Sequence, residues 1–305
     1  MSILKSILVV GATGKQGGAL ITSLLATPDL QQFHITALTR DANSASSRHL
    51  AARPNITILE GNLDDCPAIF SKIKTPLHAV FSVTTPIKSA KLEEQQGKDL
   101  IDAAASHGVK HFVFTSADRG GPGLSDRDPS VVPHFASKFN IEKHLDEVSA
   151  IKGMGWTTIR PVAFMENLTP DFIGKAFSTM WKQMGEDKKL QLVSSADVGK
   201  LAAMILRSPE DYFRKSISFA TDELSWKEAN QIFKRVVGTE LPLTYGWIGS
   251  MIKLLLHEQL GIMFKWFVDV GFGADPKEFI QKVPELLTFE KWLRVESKFK
   301  NTEKR

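Results

Sequence analysis

The chain has 305 residues, 43% of them hydrophobic, enough for one large core or for a core with a smaller satellite domain. A net charge of +4, with no basic stripe interleaved with aromatic residues, argues against direct nucleic-acid binding. A single cysteine, Cys66, excludes an internal disulfide and a cysteine-rich metal centre, so no metal is expected and a reducing compartment fits: the cytoplasm, or the nucleus as well.

In chain order, "MSILKSILVVGATG" is apolar up to a glycine turn and lacks a small-residue cleavage site. It reads as a buried first strand and not as a signal peptide. A helix is predicted over 14–26. "HITALTR", "ITILEGN" and "HAVFSVT" read as strands, followed by a polar-faced helix over 91–106. "KHFVFTS" is the next strand. A loop rich in Gly, Pro and Asp covers 118–133, a helix 134–149, and "WTTIRPV" closes the series. Strands alternating with helices predict βαβ units and a doubly wound parallel α/β sheet. Nearly continuous apolar strands predict burial on both faces.

Past residue 161 the pattern loosens. "ADVGKLAAMILRSP" reads as a helix and "SISFAT" as a strand. "SWKEANQIFKRVVG" starts on Ser225, has Glu228 three residues on and stops at Gly238, which predicts a capped helix. The greasy stretch 247–272 carries Lys253, Glu258, Lys265 and Asp269, so an amphipathic helix is predicted and a membrane span is not.

The glycines after the first strand carry the strongest chemical signal. Gly11, Gly14 and Gly17 follow a buried strand and open a helix. Gly11 makes the sharp turn, Gly14 admits a phosphate close to the backbone, and Gly17 lets the helix pack tightly. The helix N-terminus then faces a pyrophosphate, which predicts a dinucleotide site. A P-loop is excluded, because the residue before Lys15 does not complete the glycine spacing and no Ser or Thr follows it. At the end of the second strand an acidic residue would grip the ribose of NAD. Here "LTRD" places Arg40 to pair with the 2′-phosphate of NADP, with Thr39 adding a hydroxyl and Asp41 one residue late.

The pieces "GATGKQGG", "TRD", "GNLDD", "VTTP", "EEQQGKDLIDAA", "HFVFTS", "HFASKFNIEKHL", "TIRPVAFMENL", "SADVGKLAAMIL" and "LTFEKWL" together resemble the NmrA-like family of atypical short-chain dehydrogenase/reductases. The resemblance covers nearly the whole chain. It implies a Rossmann-type NADP(H)-binding domain over 1–160, with about 190–222 returning to it. A smaller, mostly α domain over 161–189 and 223–305 would complete a cleft. It further implies that Gly11, Ala12, Thr13, Gly14, Lys15 and Gln16 wrap the pyrophosphate. Asn62 and Leu63 would lie beside the adenine. Asn62 stands where the family often has aspartate, and its oxygen can accept the adenine amine. Thr84, Thr85 and Pro86 would line the fourth strand's exit, and Lys138 would reach the nicotinamide ribose. Val162, Ala163, Phe164 and Met165 would pack on the nicotinamide, with Asn167 nearby. Gln95 replaces a lysine found in some members.

Catalysis is the open question. Ordinary short-chain reductases use Tyr-x-x-x-Lys after a serine, the tyrosine protonating the substrate oxygen. Here "HFASK" keeps Lys138 but puts His134 in the tyrosine's place, and Ser116 follows the fifth strand. Tyr212 and Tyr245 are the only tyrosines and neither precedes a lysine at that spacing. Two readings stand. One is an NADPH-dependent reductase of a small hydrophobic carbonyl or enone, with His134 or Lys138 as proton donor. The other is a non-catalytic NADP(H) sensor whose occupancy changes binding of a regulatory protein partner. The aromatics Phe172, Phe177, Trp181, Trp247, Phe264, Trp266 and Phe267 either line an apolar substrate cavity or, the favoured reading, form core.

Overall fold

The computed structural model describes residues 5–26, 33–86, 88–244, 261–281, 283 and 285–299. Strands β1 (Lys5–Val9), β2 (Phe33–Thr39), β3 (Ile56–Glu60), β4 (Ala79–Val83), β5 (His111–Thr115), β6 (Gly155–Pro161) and β9 (Lys215–Phe219) form one sheet in the order β3-β2-β1-β4-β5-β6-β9. The pairs among the first six strands are parallel. The strand order reverses at β1, the switch point where open α/β sheets bind ligands. Helices α1 (Lys15–Leu25), α2 (Ala45–Ala51), α3 (Cys66–Ser71), α4 (Ala90–Ser106) and α6 (Pro133–Lys152) connect successive strands. A short α5 (Pro122–Ser125) lies in the 118–133 loop.

One core cluster joins Leu8, Val80, Phe112 and Phe114 of the sheet to Ile69 and Phe70 of α3, Leu100 and Ile101 of α4, and Ile141 and Leu145 of α6. Period-2 strand residues thus meet period-3.6 helix stripes, as the apolar patterning requires. A buried pair also ties α6 to β6. The Arg160 guanidinium donates to both Glu142 carboxylate oxygens, at 3.2 and 2.7 Å.

The chain divides into two compact units. The first comprises Met1–Ala117, His134–Arg160 and Ala196–Ile217, and the second Asp118–Pro133, Pro161–Ser195 and Ser218–Arg305. The second unit contains α7 (Phe172–Lys182), α9 (Trp226–Val237), α10 (Ile262–Asp269), α11 (Pro276–Ile280) and α12 (Phe289–Val295). Helix α8 (Ser195–Arg207) belongs to the first unit but for its opening residue. The capping box at Ser225 and Glu228 and the left-handed Gly238 end α9 as expected. The structure adds a three-stranded sheet, β10-β8-β7, that the pattern of the sequence did not disclose. Its strands β7 (Ala163–Phe164), β8 (Lys189–Val193) and β10 (Asp222–Ser225) are short, and "DELS" holds a single apolar residue, Leu224. Phe177, Trp181, Phe264, Trp266 and Phe267 are buried, so they are core; Phe172 is exposed. Trp247, Tyr245 and the 247–260 part of the expected amphipathic helix lie outside the described residues, and α10 forms within its remainder. Among the described residues no helix is long and apolar enough to cross a membrane, and no cluster of His, Cys, Asp or Glu is arranged to hold a metal. Cys66 is buried, and burial, with Asp99, Asp65 and Asp64 nearby, pushes its thiol up to about 12, so it is unreactive at neutral pH.

His111 on β5 is 3% exposed and shares a hydrogen bond with the Thr157 hydroxyl at 2.9 Å. Burial, then the neighbouring His78, pushes it from 6.5 to about 4. Its contribution to stability is therefore complete above about pH 6.5 and is lost as pH falls toward 4. Urea unfolding should show wild-type protein losing roughly 2 kcal/mol more than His111→Gln between about pH 7.5 and about pH 5. Equal acid sensitivity of the two proteins contradicts the assignment.

Candidate functional site

The chain leaves β1 through Gly11, whose φ of +71° is a left-handed conformation suited to glycine. The Gly14 N–H donates back to the Gly11 carbonyl at 2.9 Å, and Gly14 enters α1 in extended conformation. No side chain caps α1, and its first turn holds no acidic residue. Ser44, Ser89, Asp171, Ser225 and Thr288, by contrast, cap their own helices. The first-turn N–H groups of α1 and the positive end of its dipole thus border a cleft of about 500 Å³ lined by Gly11, Thr13, Gly14, Lys15 and Gln16. The Gln16 Oε1 atom, beside this cleft, is buried without a hydrogen-bond partner. Ala12 and Gly17 sit behind the lining. A Cβ on Gly17 would fall 2.3 Å from the Gly11 oxygen, so this glycine seats the helix on the turn.

Thr39 and Arg40 line the same cleft at the β2 exit, and Asp41 does not. Two details describe this loop further. The Thr39 hydroxyl donates to the Asp41 carbonyl at 3.2 Å and accepts from the Ser47 hydroxyl at 3.1 Å, so it shapes the loop. The Asp41 carboxylate accepts from the Asn43 N–H at 2.8 Å, closing its own turn. Arg40 is left as the group this loop presents to the cleft.

Asn62 and Leu63 line the β3 exit, joined by Asp64. At the β4 exit Thr84 and Thr85 line the cleft; Pro86 does not. Lys88 adds a third cation to Lys15 and Arg40, against the carboxylates of Asp64 and Glu93.

Glu93 is the residue that sequence reasoning missed. It is 1% exposed, accepts from the Thr84 hydroxyl at 2.9 Å and from the Ser137 hydroxyl at 2.6 Å, and pairs with the Lys138 ammonium at 2.8 Å. Lys138 donates also to the Thr84 carbonyl and hydroxyl, both at 3.2 Å. Three acceptors thus match the three ammonium protons. A signal existed: the buried residues of α4 are Glu93, Gly97, Leu100, Ile101 and Ala104, an inward stripe on which a carboxylate demands a partner.

Of the other expected residues, Ser116 is buried, and its N–H donates to the Ile159 carbonyl at 2.7 Å. His134 stands at the first turn of α6. Burial, then the Lys138 charge, pushes its imidazole down to about 4. Both effects favour the neutral imidazole over the imidazolium that a general acid would need at pH 7. Val162, Ala163 and Met165 are buried and Phe164 is half-buried in the second unit, where Asn167 is exposed. Glu166 accepts from the Ser195 N–H and hydroxyl, at 2.9 and 2.7 Å, at the start of α8.

A parallel sheet that turns through glycine into an uncapped helix at its switch point is a Rossmann-like α/β fold. The family model described as the NmrA-like family matches residues 4–296, and the chain belongs to that family. It is 26% identical over 303 residues to the NmrA-like family domain-containing oxidoreductase FrzB of Cladobotryum sp., covering 89% of this chain and 87% of that one. Among solved structures it is similar to NmrA, a negative transcriptional regulator, in complex with NADP, with TM-score 0.71 and 21% identity over 96% of this chain and 95% of that one. It is also similar to the Citrobacter sp. triphenylmethane reductase complexed with NADP(H), with TM-score 0.71 and 17% identity over 95% of this chain and 99% of that one.

Proposed function

We propose that this protein binds NADP(H) in the cleft between the β1, β2, β3 and β4 exits and uses it to reduce a small hydrophobic carbonyl or enone compound. The observation that carries the reading is one cleft bordered at once by the uncapped α1 N-terminus and by Arg40. The first suits a pyrophosphate, the second a 2′-phosphate. The NADP-bound and NADP(H)-bound relatives of the same fold, and the oxidoreductase FrzB, support it.

In this reading Gly11 to Gln16 hold the pyrophosphate, with Lys15 adding charge. When bound, NADPH supplies the hydride for the substrate carbon. Lys138, fixed by Glu93 and Thr84, orients the nicotinamide ribose and, with Ser116 as the other candidate, holds the proton for the substrate oxygen. His134, neutral at pH 7, shapes the surroundings of that ammonium without donating.

The second reading, a nucleotide-responsive regulator of a protein partner, is favoured by one observation: every Lys138 proton already has an acceptor within the protein. Similarity to the regulator NmrA supports it as well.

Binding measured with purified protein should favour NADPH over NADH, and Arg40→Ala should lower NADPH affinity about tenfold or more while sparing NADH. An unchanged ratio contradicts the cofactor assignment. NADPH oxidation across a panel of aldehydes, ketones and enones separates the two readings. Silence from protein that still binds NADPH favours the regulator.

A further inference from the structure

Arg40 is exposed and directly follows the last residue of β2. A long, exposed side chain loses rotamer freedom when it grips a phosphate, and it grips well only where the backbone beneath it is already fixed. The turn that carries Arg40 is fixed from α2. Ser47 is 0% exposed, and its hydroxyl has two acceptors in reach of its proton, the Asp41 carbonyl at 2.7 Å and the Thr39 hydroxyl oxygen at 3.1 Å. It shares a third hydrogen bond with the Ser44 hydroxyl at 2.8 Å. Thr39 and Asp41 are the two chain neighbours of Arg40. One buried oxygen therefore holds the chain on both sides of the arginine.

The identity of this residue is informative. The buried residues of α2 are Ser47 and Leu50, so half of a small inward face is a hydroxyl. Burying a hydroxyl costs free energy unless it is hydrogen-bonded, and here the bonds go to the turn. The outer side of the same turn is held separately. The Ala42 N–H donates to Glu60 Oε2 at 2.9 Å, and the Arg48 guanidinium donates to the Asn43 carbonyl at 2.6 Å. Those two contacts lie past Arg40, so Ser47 alone among these groups reaches both of its neighbours.

We propose that Ser47 sets the choice between NADPH and NADH, its hydroxyl holding the turn so that Arg40 meets the 2′-phosphate already in place. This rests on the NADP(H) reading above and adds a residue to it. Ser47 does not line the cleft, so it is a positioning residue that acts through Arg40. Without the hydroxyl the turn must be ordered anew when the phosphate binds, and that ordering is subtracted from the affinity. NADH has no 2′-phosphate and draws nothing from Arg40, so it is indifferent to the change.

Direct binding of NADPH and of NADH to the purified full chain tests this in wild type, Ser47→Ala, Arg40→Ala and the double variant. Ser47→Ala leaves the α2 cap in place, because Ser44 accepts the backbone N–H of residue 47 at 3.2 Å, and alanine is the stronger helix former. Ser47→Ala should weaken NADPH binding about fivefold to tenfold and change NADH binding by less than about twofold. On the Arg40→Ala background the same substitution should change neither affinity by more than about twofold. Ser47→Cys, with a weak S–H donor of similar size, should fall between wild type and Ser47→Ala. A Ser47→Ala protein with the wild-type NADPH-to-NADH ratio overturns the proposal and leaves NADP(H) binding standing. So does a Ser47→Ala loss that persists undiminished without Arg40, or one that falls on both dinucleotides alike. Wild-type protein with no preference for NADPH overturns the reading beneath it as well.

Discussion

Glu93→Ala is expected to destabilise the protein by about 3–5 kcal/mol, because it strands the Lys138 ammonium without its counter-charge in a buried place. Lys138 is 9% exposed and Glu93 1%. Removing the carboxylate takes away three hydrogen bonds at once, from Lys138, Thr84 and Ser137. Lys138→Met should cost less, since the Thr84 and Ser137 hydroxyls still serve the Glu93 oxygens and the thioether fills much of the vacated volume beside Phe114. The double variant Glu93→Ala with Lys138→Met should then be more stable than the sum of the two losses, by about 1 kcal/mol or more. Equilibrium urea unfolding of the four proteins closes the cycle. Losses that simply add would mean that Glu93 and Lys138 act independently, and the account of a locked lysine would fall.

That pair also shows what reading the residues could and could not reach. The glycine turn was legible because its requirement is local. A strand must end and a helix begin within a few residues, and glycines at that spacing have few other uses. The place of Arg40 beside the cleft was legible for the same reason, one strand further on. The fate of Thr39 was not, because its hydroxyl is claimed by Ser47 across the α2 turn, a contact that the order of residues does not announce. Glu93 lies far in sequence from Ser137 and Lys138, and only the pairing of β4 with β5 and the packing of α4 beside α6 bring the three together. The surroundings of His134 lay in the same gap. Its ordinary titration range is a property of the free side chain, and burial beside Lys138 removes it. The second sheet escaped because a two-residue strand and a four-residue strand with one apolar residue carry almost no alternation to detect.

Neighbouring glycines of α1 should respond in opposite directions to the same substitution. A Cβ at Gly17 would lie 2.3 Å from the Gly11 oxygen, 2.7 Å from the Gly11 carbonyl carbon and 3.0 Å from the Ala12 Cα. All three are backbone atoms of the turn that leaves β1, and β1 is held on both sides by β2 and β4, so none can swing aside as a side-chain end would. Gly17→Ala must lift α1 off that turn, and overpacking of this kind costs about 3 kcal/mol. At Gly18 the nearest atom to a new Cβ is the Ala12 oxygen at 3.5 Å, an ordinary contact. Gly18→Ala should therefore gain about 0.5–1 kcal/mol from reduced unfolded-state freedom in a helix interior. The two variants differ by one position and one methyl group each, so composition cannot explain a divergence of thermal midpoints. Nucleotide binding should diverge with them. Lifting α1 moves its first-turn N–H groups away from Gly11, so Gly17→Ala should weaken NADPH binding beyond what its instability explains, measured well below the unfolding midpoint. Gly18→Ala should bind like wild type. Matching stabilities, or a Gly17→Ala protein with wild-type affinity, would show that the close approach of α1 to the β1 turn does not shape the site.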